Sequence, residues 1–159
     1  MIKVGDRVPS ANLREIKESG PAETTSDAFF KGKKVALFAV PGAFTGTCST
    51  KHLPSFATNA DALKAKGVDA IACVAVNDAS VMKAWGEQSG TAGTVTMLSD
   101  GNGDFARAVG VEADMSKFGM GKRSRRYSML VDDGVVKQFN LEEAGAFGVS
   151  SGDHMLKQL

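Results

Sequence analysis

The run Val35-Ala36-Leu37-Phe38-Ala39-Val40 constrains the fold more than any other stretch of this chain. A strand with one wet face alternates apolar and polar residues, and this run does not, so it predicts a central strand covered on both faces. Pro41 and Gly42 end it. From about Thr45 the spacing becomes helical: Leu53, Phe56, Ala60 and Leu63 recur at intervals of three, four and three, and Gly67 supplies a stop. Pro54, several residues into this helix, removes one backbone hydrogen bond and predicts a kink just after the first turn. Val68 to Val76 is a second apolar strand. Strand, helix and strand in close succession predict a right-handed βαβ unit with parallel strands.

The remainder completes a layered α/β domain. Residues 1 to 33 are turn-rich, with a short strand expected at Asn12 to Ile16. Asp78 is placed to cap a helix carrying Val81, Met82 and Trp85 that ends near Ser89-Gly90. Val95 to Leu98 predicts a third strand, and Phe105, Ala108 and Val109 a short helix closed by Gly110. Ser116 to Arg126 is glycine-rich and basic and reads as a loop with a solvated face. Tyr127–Val131 and Val135–Phe139 flank Asp132-Asp133-Gly134, a hairpin signal. Leu141 to Gly148 reads as a loop, and Ser150 to Leu159 as a terminal helix capped by Ser150 or Ser151. With no repeat or linker, residues 1–159 are expected to form one domain. A βαβ half followed by a ββα half predicts a thioredoxin-like fold, a central mixed β-sheet flanked by helices on both faces. The doubly wound flavodoxin-like alternative would need parallel final strands, which the hairpin opposes.

Composition narrows the function. The 159 residues, 43% hydrophobic, suffice for one well-buried domain. With 19 basic against 18 acidic residues and no basic stripe interleaved with aromatics, no nucleic-acid partner is expected. No run reaches membrane-spanning length and Met1 to Asp6 lacks a signal-peptide core, so a cytoplasmic location is expected, an organellar presequence removed beforehand being the alternative. Two cysteines, Cys48 and Cys73, exclude a disulfide-rich scaffold, and no Cys/His cluster suggests zinc: His52 and His154 do not make a site. No metal and no cofactor are expected.

Cys48 falls at the predicted start of a helix, where unpaired N–H groups and the macrodipole favour a thiolate. A dithiol oxidoreductase would show a second thiol in a Cys-x-x-Cys pattern, absent here. A cysteine phosphatase would place arginine six residues on, where Pro54 stands. A cysteine hydrolase needs a base, and only His52 or His154 is available. His52 lies one turn below Cys48, and helical side chains lean toward the N-terminus, but no acidic orienter for it is evident. Peroxide reduction needs no imidazole base. Thr45 can present a hydroxyl to the sulfur and to a peroxide oxygen, a nearby guanidinium would stabilise charge on sulfur and oxygen, and Pro41 would shield the sulfur.

Pro41-x-x-x-Thr45-x-x-Cys48 resembles the active-site motif of the peroxiredoxins. The wider string Pro41 to Ser49 with His52-Leu53-Pro54 is similar to the type II, peroxiredoxin 5-like subfamily. The resemblance continues through Lys64 to Val68, Val76-Asn77-Asp78, Met82 to Trp85 and Arg126-Tyr127-Ser128-Met129. It implies a thioredoxin-like homodimer reducing hydrogen peroxide and alkyl hydroperoxides. Cys48 is then the peroxidatic cysteine, Thr45 its hydroxyl partner, Pro41 the shield and Arg126 the guanidinium, with Arg123 and Arg125 as neighbouring alternatives. Glutathione with glutaredoxin, or thioredoxin, would be the reductant. The sequence departs from the subfamily at Gly46, usually proline, and at Ser55, commonly glycine. Gly46 predicts a more mobile cysteine turn.

Cys73 reads either as a resolving cysteine or as a buried hydrophobe in a strand. A Cys48–Cys73 disulfide needs Cα atoms within about 7 Å, reached here only by local unfolding. The C-terminal stretch Gly148-Val149-Ser150-Ser151, where some relatives carry a resolving cysteine, has none. The favoured reading is single-cysteine chemistry. A redox sensor or holdase-like binding protein using the same thiolate is the non-enzymatic alternative. Trp85 and Met82 read as core packing.

Overall fold

The computed structural model describes residues 1–159. In chain order the strands are β1 (Asn12–Lys17), β2 (Gly20–Thr25), β3 (Lys34–Ala39), β4 (Ala70–Ala75), β5 (Thr96–Ser99), β6 (Glu112–Asp114), β7 (Lys122–Ser124), β8 (Tyr127–Asp132) and β9 (Val135–Leu141). The helices are α1 (Ser26–Phe30), α2 (Leu53–Thr58), α3 (Ala60–Ala65), α4 (Ala79–Gln88), α5 (Asp104–Val109) and α6 (Gly152–Lys157). Seven strands form one sheet in the order β2-β1-β5-β4-β3-β8-β9, while β6 and β7 pair apart from it. The apolar strands β3 and β4 are parallel, as is β5 beside β4. β8 runs antiparallel to β3, and β9 to β8, which the Asp133-Gly134 turn enforces. This is the thioredoxin-like arrangement, a mixed sheet with helices on both faces.

Residue alternation along β3 shows why no polar residue interrupts it. Ala36, Phe38 and Val40 enter one core with Phe56, Leu63, Trp85 and Met155. Val35, Leu37 and Ala39 enter a second core with Phe30, Phe105 and Val109. Each face of the strand is therefore dry, covered by α2, α3, α4 and α6 on one side and by α1 and α5 on the other. β4 divides the same way: Ile71, Cys73 and Ala75 face the first core, Ala72 and Val74 the second. Asp78 caps α4 as expected, accepting from the Val81 N–H.

Four features differ from the sequence reading. The helix expected from Thr45 to Lys66 is not continuous: a π-helical turn spans Cys48–His52, then α2 and α3 follow, broken at Asn59. Pro54 has no N–H to give, and the wide turn closes instead through the Leu53 N–H onto the Cys48 carbonyl. The turn-rich N-terminal region contains β2, whose Pro21 is tolerated because β2 is an edge strand. The basic loop from Ser116 to Arg126 holds a short 3₁₀ turn and β7, paired with β6; three-residue polar strands carry no alternation to read. In α5 it is Ala106 that is buried, while Ala108 is exposed. Ser151 caps α6. A Cβ on Gly152 would sit 2.5 Å from the Ser55 carbonyl oxygen, so glycine allows α6 to press onto α2.

Candidate active site

β3 delivers the chain into the loop Pro41–Thr47, and the π turn starts at Cys48. Neighbouring elements fix this loop. The Ala43 N–H donates to Asn77 Oδ1 at 2.9 Å, and the Pro41 carbonyl accepts from Arg123 Nη1 at 3.2 Å. Thr45 Oγ1 donates to the Gly42 carbonyl at 2.7 Å. Gly42 is tightly enclosed: a Cβ would lie 3.0 Å from Arg123 Nη1 and 3.1 Å from Met120 Cε, so both side chains would have to shift to admit one. Phe44 adopts φ +64°, a strained setting for a bulky residue, and is 48% exposed beside Trp85.

Cys48 is only 1% exposed. Arg126, between β7 and β8, donates from Nη2 to Cys48 Sγ at 3.0 Å and from Nη1 to His52 Nδ1 at 2.8 Å. A guanidinium can only donate, so Nδ1 must be the accepting nitrogen and the ring proton must sit on Nε2. Nε2–H then donates to the Ser150 carbonyl at 2.9 Å. Burial pushes the His52 imidazole down to about 3, and the Arg126 charge adds to that, so the ring is neutral. Phe38, Phe56 and Phe147 surround it, with ring centroids at 4.9, 5.8 and 5.1 Å. His52 has neither a free lone pair nor a spare proton. The hydrolase alternative thereby loses His52 as its base.

The structure brings Cys48 and Arg126 into direct contact and sets Pro41 and Thr45 in the loop just before the cysteine. The Thr45 hydroxyl proton goes to the Gly42 carbonyl, not to the sulfur, which leaves its lone pairs to accept. Arg123 and Arg125 are engaged elsewhere, the latter on the Glu142 carbonyl at 2.8 Å. Cys73 lies on β4, fully buried and facing the same core as Cys48; burial, and then the neighbouring Cys48, push its thiol well above the usual range. Both cysteines are free thiols.

From sequence, His52 is weighed as a base or a ligand and belongs to the string that carries the family resemblance, but its contact with Arg126 has no signal there. Ser150 and Glu142, which support it, were missed, and so was the hydrogen bond from Trp85 to Ser49. Nothing in the pattern around Glu142-Glu143 distinguishes the two carboxylates.

Fold and site together define a protein of thiol redox chemistry, with a buried cysteine at the start of a helical segment under a guanidinium. The redoxin family matches residues 3–156. "Peroxiredoxin-2E-2, chloroplastic" of Oryza sativa subsp. japonica is 55% identical over 168 residues, covering 99% of this chain and 72% of the relative. "Peroxiredoxin-2E, chloroplastic" of Arabidopsis thaliana is 52% identical, covering 99% and 69%. Reduced Prx3 from Vibrio vulnificus, solved in complex with hydrogen peroxide, superposes with a TM-score of 0.95 at 48% identity over 99% of each chain. The chain belongs to the peroxiredoxin family, in its type II, peroxiredoxin 5-like branch. Membership carries thiol peroxidase activity.

Proposed function

We propose that this protein reduces hydrogen peroxide and alkyl hydroperoxides through a sulfenic acid at Cys48. The observation that carries the reading is the 3.0 Å contact from Arg126 Nη2 to Cys48 Sγ. A guanidinium there favours the thiolate and the negative charge that develops as the O–O bond breaks. Thr45, its proton already committed to Gly42, accepts a hydrogen bond from the incoming peroxide O–H. Cys48 Sγ attacks one peroxide oxygen, the O–O bond breaks, and both electrons of that bond leave with the second oxygen. That oxygen takes a proton from solvent and departs as water or alcohol. His52 donates no proton in this step, because its only N–H is held by Ser150. The 1% exposure of Cys48 restricts attackers to small molecules, and Pro41 helps to close the pocket.

Recovery follows single-cysteine chemistry. A glutathione thiolate displaces water from the sulfenic acid to form a mixed disulfide, and a second thiol, delivered by glutaredoxin, releases Cys48; thioredoxin is the alternative reductant. The functional unit is a homodimer. The setting required is a reducing aqueous compartment, cytoplasm or organelle alike; no helix is long and apolar enough to cross a membrane. The test is peroxide consumption by wild type and Cys48→Ser with glutathione/glutaredoxin and with thioredoxin. Turnover with either reductant that Cys48→Ser abolishes is expected. Oxidation of Cys48 without turnover on either reductant would convert the reading into a redox sensor.

A further inference from the structure

One buried charge near the site has no cation to pair with. Glu142, just beyond the end of β9, is 4% exposed and belongs to none of the ion pairs. Its carboxylate accepts from three successive N–H groups: Gly148 at 2.9 and 3.0 Å, Val149 at 2.9 Å and Ser150 at 2.8 Å. It also accepts from Ser150 Oγ at 2.6 Å. Burial pushes this carboxyl upward, but the hydrogen bonds from Ser150, Gly148 and Val149 outweigh it and hold it below the usual range. The Glu142 backbone is tied to the site as well: its N–H donates to the Arg126 carbonyl at 3.0 Å, and its carbonyl accepts from Arg125 Nη2 at 2.8 Å. The residue thus joins the start of β8 to the segment 148–150.

That segment ends on the Ser150 carbonyl, which receives the His52 Nε2–H. We propose that Glu142 is a positioning residue for Cys48, acting through the Ser150 carbonyl and the His52 tautomer on Arg126; this rests on reading Cys48 as the reactive thiolate. The physical reason lies in donor and acceptor counting. With the Ser150 carbonyl in place, the ring proton belongs on Nε2, and Nδ1 is free to accept from Arg126. Without it, Nε2–H is a buried donor with no partner, and the proton shifts toward Nδ1. Nδ1–H then faces Arg126 Nη1–H, donor against donor, and the guanidinium is pushed from its two-point contact with imidazole and sulfur. A carboxylate 4% exposed thereby sets the place of a cation it does not touch with its own side chain.

The experiment compares wild type, Glu142→Gln and Ser150→Ala. Glutamine keeps the shape but removes the charge: an oxygen in the Oε2 position retains its four donors as weaker neutral bonds, and the NH₂ replaces Oε1 against the Gly148 N–H. Nitrogen-15 NMR of the imidazoles reads the His52 tautomer, and mass-mapped alkylation by iodoacetamide at neutral pH reads the thiolate at Cys48. In Glu142→Gln the Nε2–H tautomer is expected to become a mixture, and alkylation and peroxide rates to fall about tenfold. Ser150→Ala, losing only the hydroxyl bond, is expected to move both readouts the same way by about threefold in rate. A folded Glu142→Gln with unchanged tautomer and unchanged alkylation overturns the proposal and leaves Glu142 a loop anchor. If that variant does not fold, Ser150→Ala decides by the same criteria. Failure of the peroxidase reading shows separately, as wild type that consumes no peroxide, and leaves the tautomer measurement intact.

Discussion

The indole Nε1–H of Trp85 donates to Ser49 Oγ at 3.1 Å, tying the residue next to Cys48 to α4. The spacing of Trp85 suggests packing alone, and it does pack, at 2% exposure. The tether matters because the turn it holds is weak. A π turn has wide, poorly aligned bonds, and Pro54 can contribute none. In the proposed cycle, Cys48 must emerge from 1% exposure before a reductant thiol, larger than a peroxide, can reach its sulfenic acid. Trp85→Phe is therefore expected to lose about 1 kcal/mol of stability in urea unfolding. Stopped-flow kinetics should show sulfenic acid formation nearly unchanged and its reduction accelerated. An unchanged reduction rate would remove the tether from the mechanism.

Gly46 acts on the same turn from the other side. A Cβ built there meets nothing within 4 Å, its φ is not left-handed, and its N–H makes no backbone hydrogen bond. Proline at this position, usual in the subfamily, gives up no backbone hydrogen bond, meets no clash at Cβ and restricts the unfolded chain, so Gly46→Pro is expected to stabilise by about 0.5–1 kcal/mol. It should also slow reduction of the oxidised enzyme by holding Cys48 in place. Equal reduction rates in wild type and variant would show that Gly46 has no part in the mobility of the turn.

Arg126 serves two acceptors at once, Cys48 Sγ and His52 Nδ1, at 3.0 and 2.8 Å. Lysine keeps the charge but is a single point, without the planar fork that spans both. Arg126→Lys is expected to reduce the second-order rate with hydrogen peroxide about a hundredfold, a loss typical of removing a preorganised donor. Retention of most of that rate would mean that charge alone, and not the two-point geometry, is what Cys48 requires.

His52 makes a pH signature. Burial, aided by Arg126, depresses it to about 3, far below the ordinary histidine value of about 6.5. Between those values the unfolded chain takes up a proton that the folded chain refuses. This contribution to stability is complete above about pH 6.5 and is lost progressively as pH falls toward 3. The His52 proton resonances are accordingly expected to stay flat from about pH 8 to about pH 5. A midpoint near pH 6.5 for His52 would contradict the Nδ1-acceptor arrangement and its role beneath Arg126.

Much of the fold was legible because its strongest signals are local and periodic. The uninterrupted β3 run needs two dry faces, and Asp133-Gly134 needs a hairpin; both requirements were met. Cys48, Thr45 and Pro41 sit within one short string whose chemistry can be read along the chain. Arg126, 78 residues away, was reachable only through family resemblance. The support beneath it was not legible at all. Glu142 differs from its neighbour Glu143 only in where the chain turns next, and the Ser150 atom that matters is a backbone carbonyl, which every residue possesses. Likewise β6 and β7 are too short and polar to show a period.

Cys73 is the test of how Cys48 is recycled in the proposed cycle. It faces the same core as Cys48, is fully buried on the central strand β4, and pairs laterally with Phe38. Burial and the neighbouring Cys48 hold its thiol protonated, and a protonated, enclosed thiol is a poor nucleophile toward a sulfenic acid. A disulfide would need local opening, either of the π turn that carries Cys48 or of β4, which is held in its ladders with β3 and β5. Cys73→Ala is thus expected to retain turnover with glutathione and glutaredoxin, at a cost of about 1 kcal/mol or more in stability from the vacated volume. After peroxide treatment of wild type, peptide mapping should find Cys48 trapped as a sulfenic adduct and no peptide linking Cys48 to Cys73. Loss of turnover in a folded Cys73→Ala, together with that linked peptide in wild type, would establish Cys73 as the resolving thiol and require local opening around the two cysteines in each cycle.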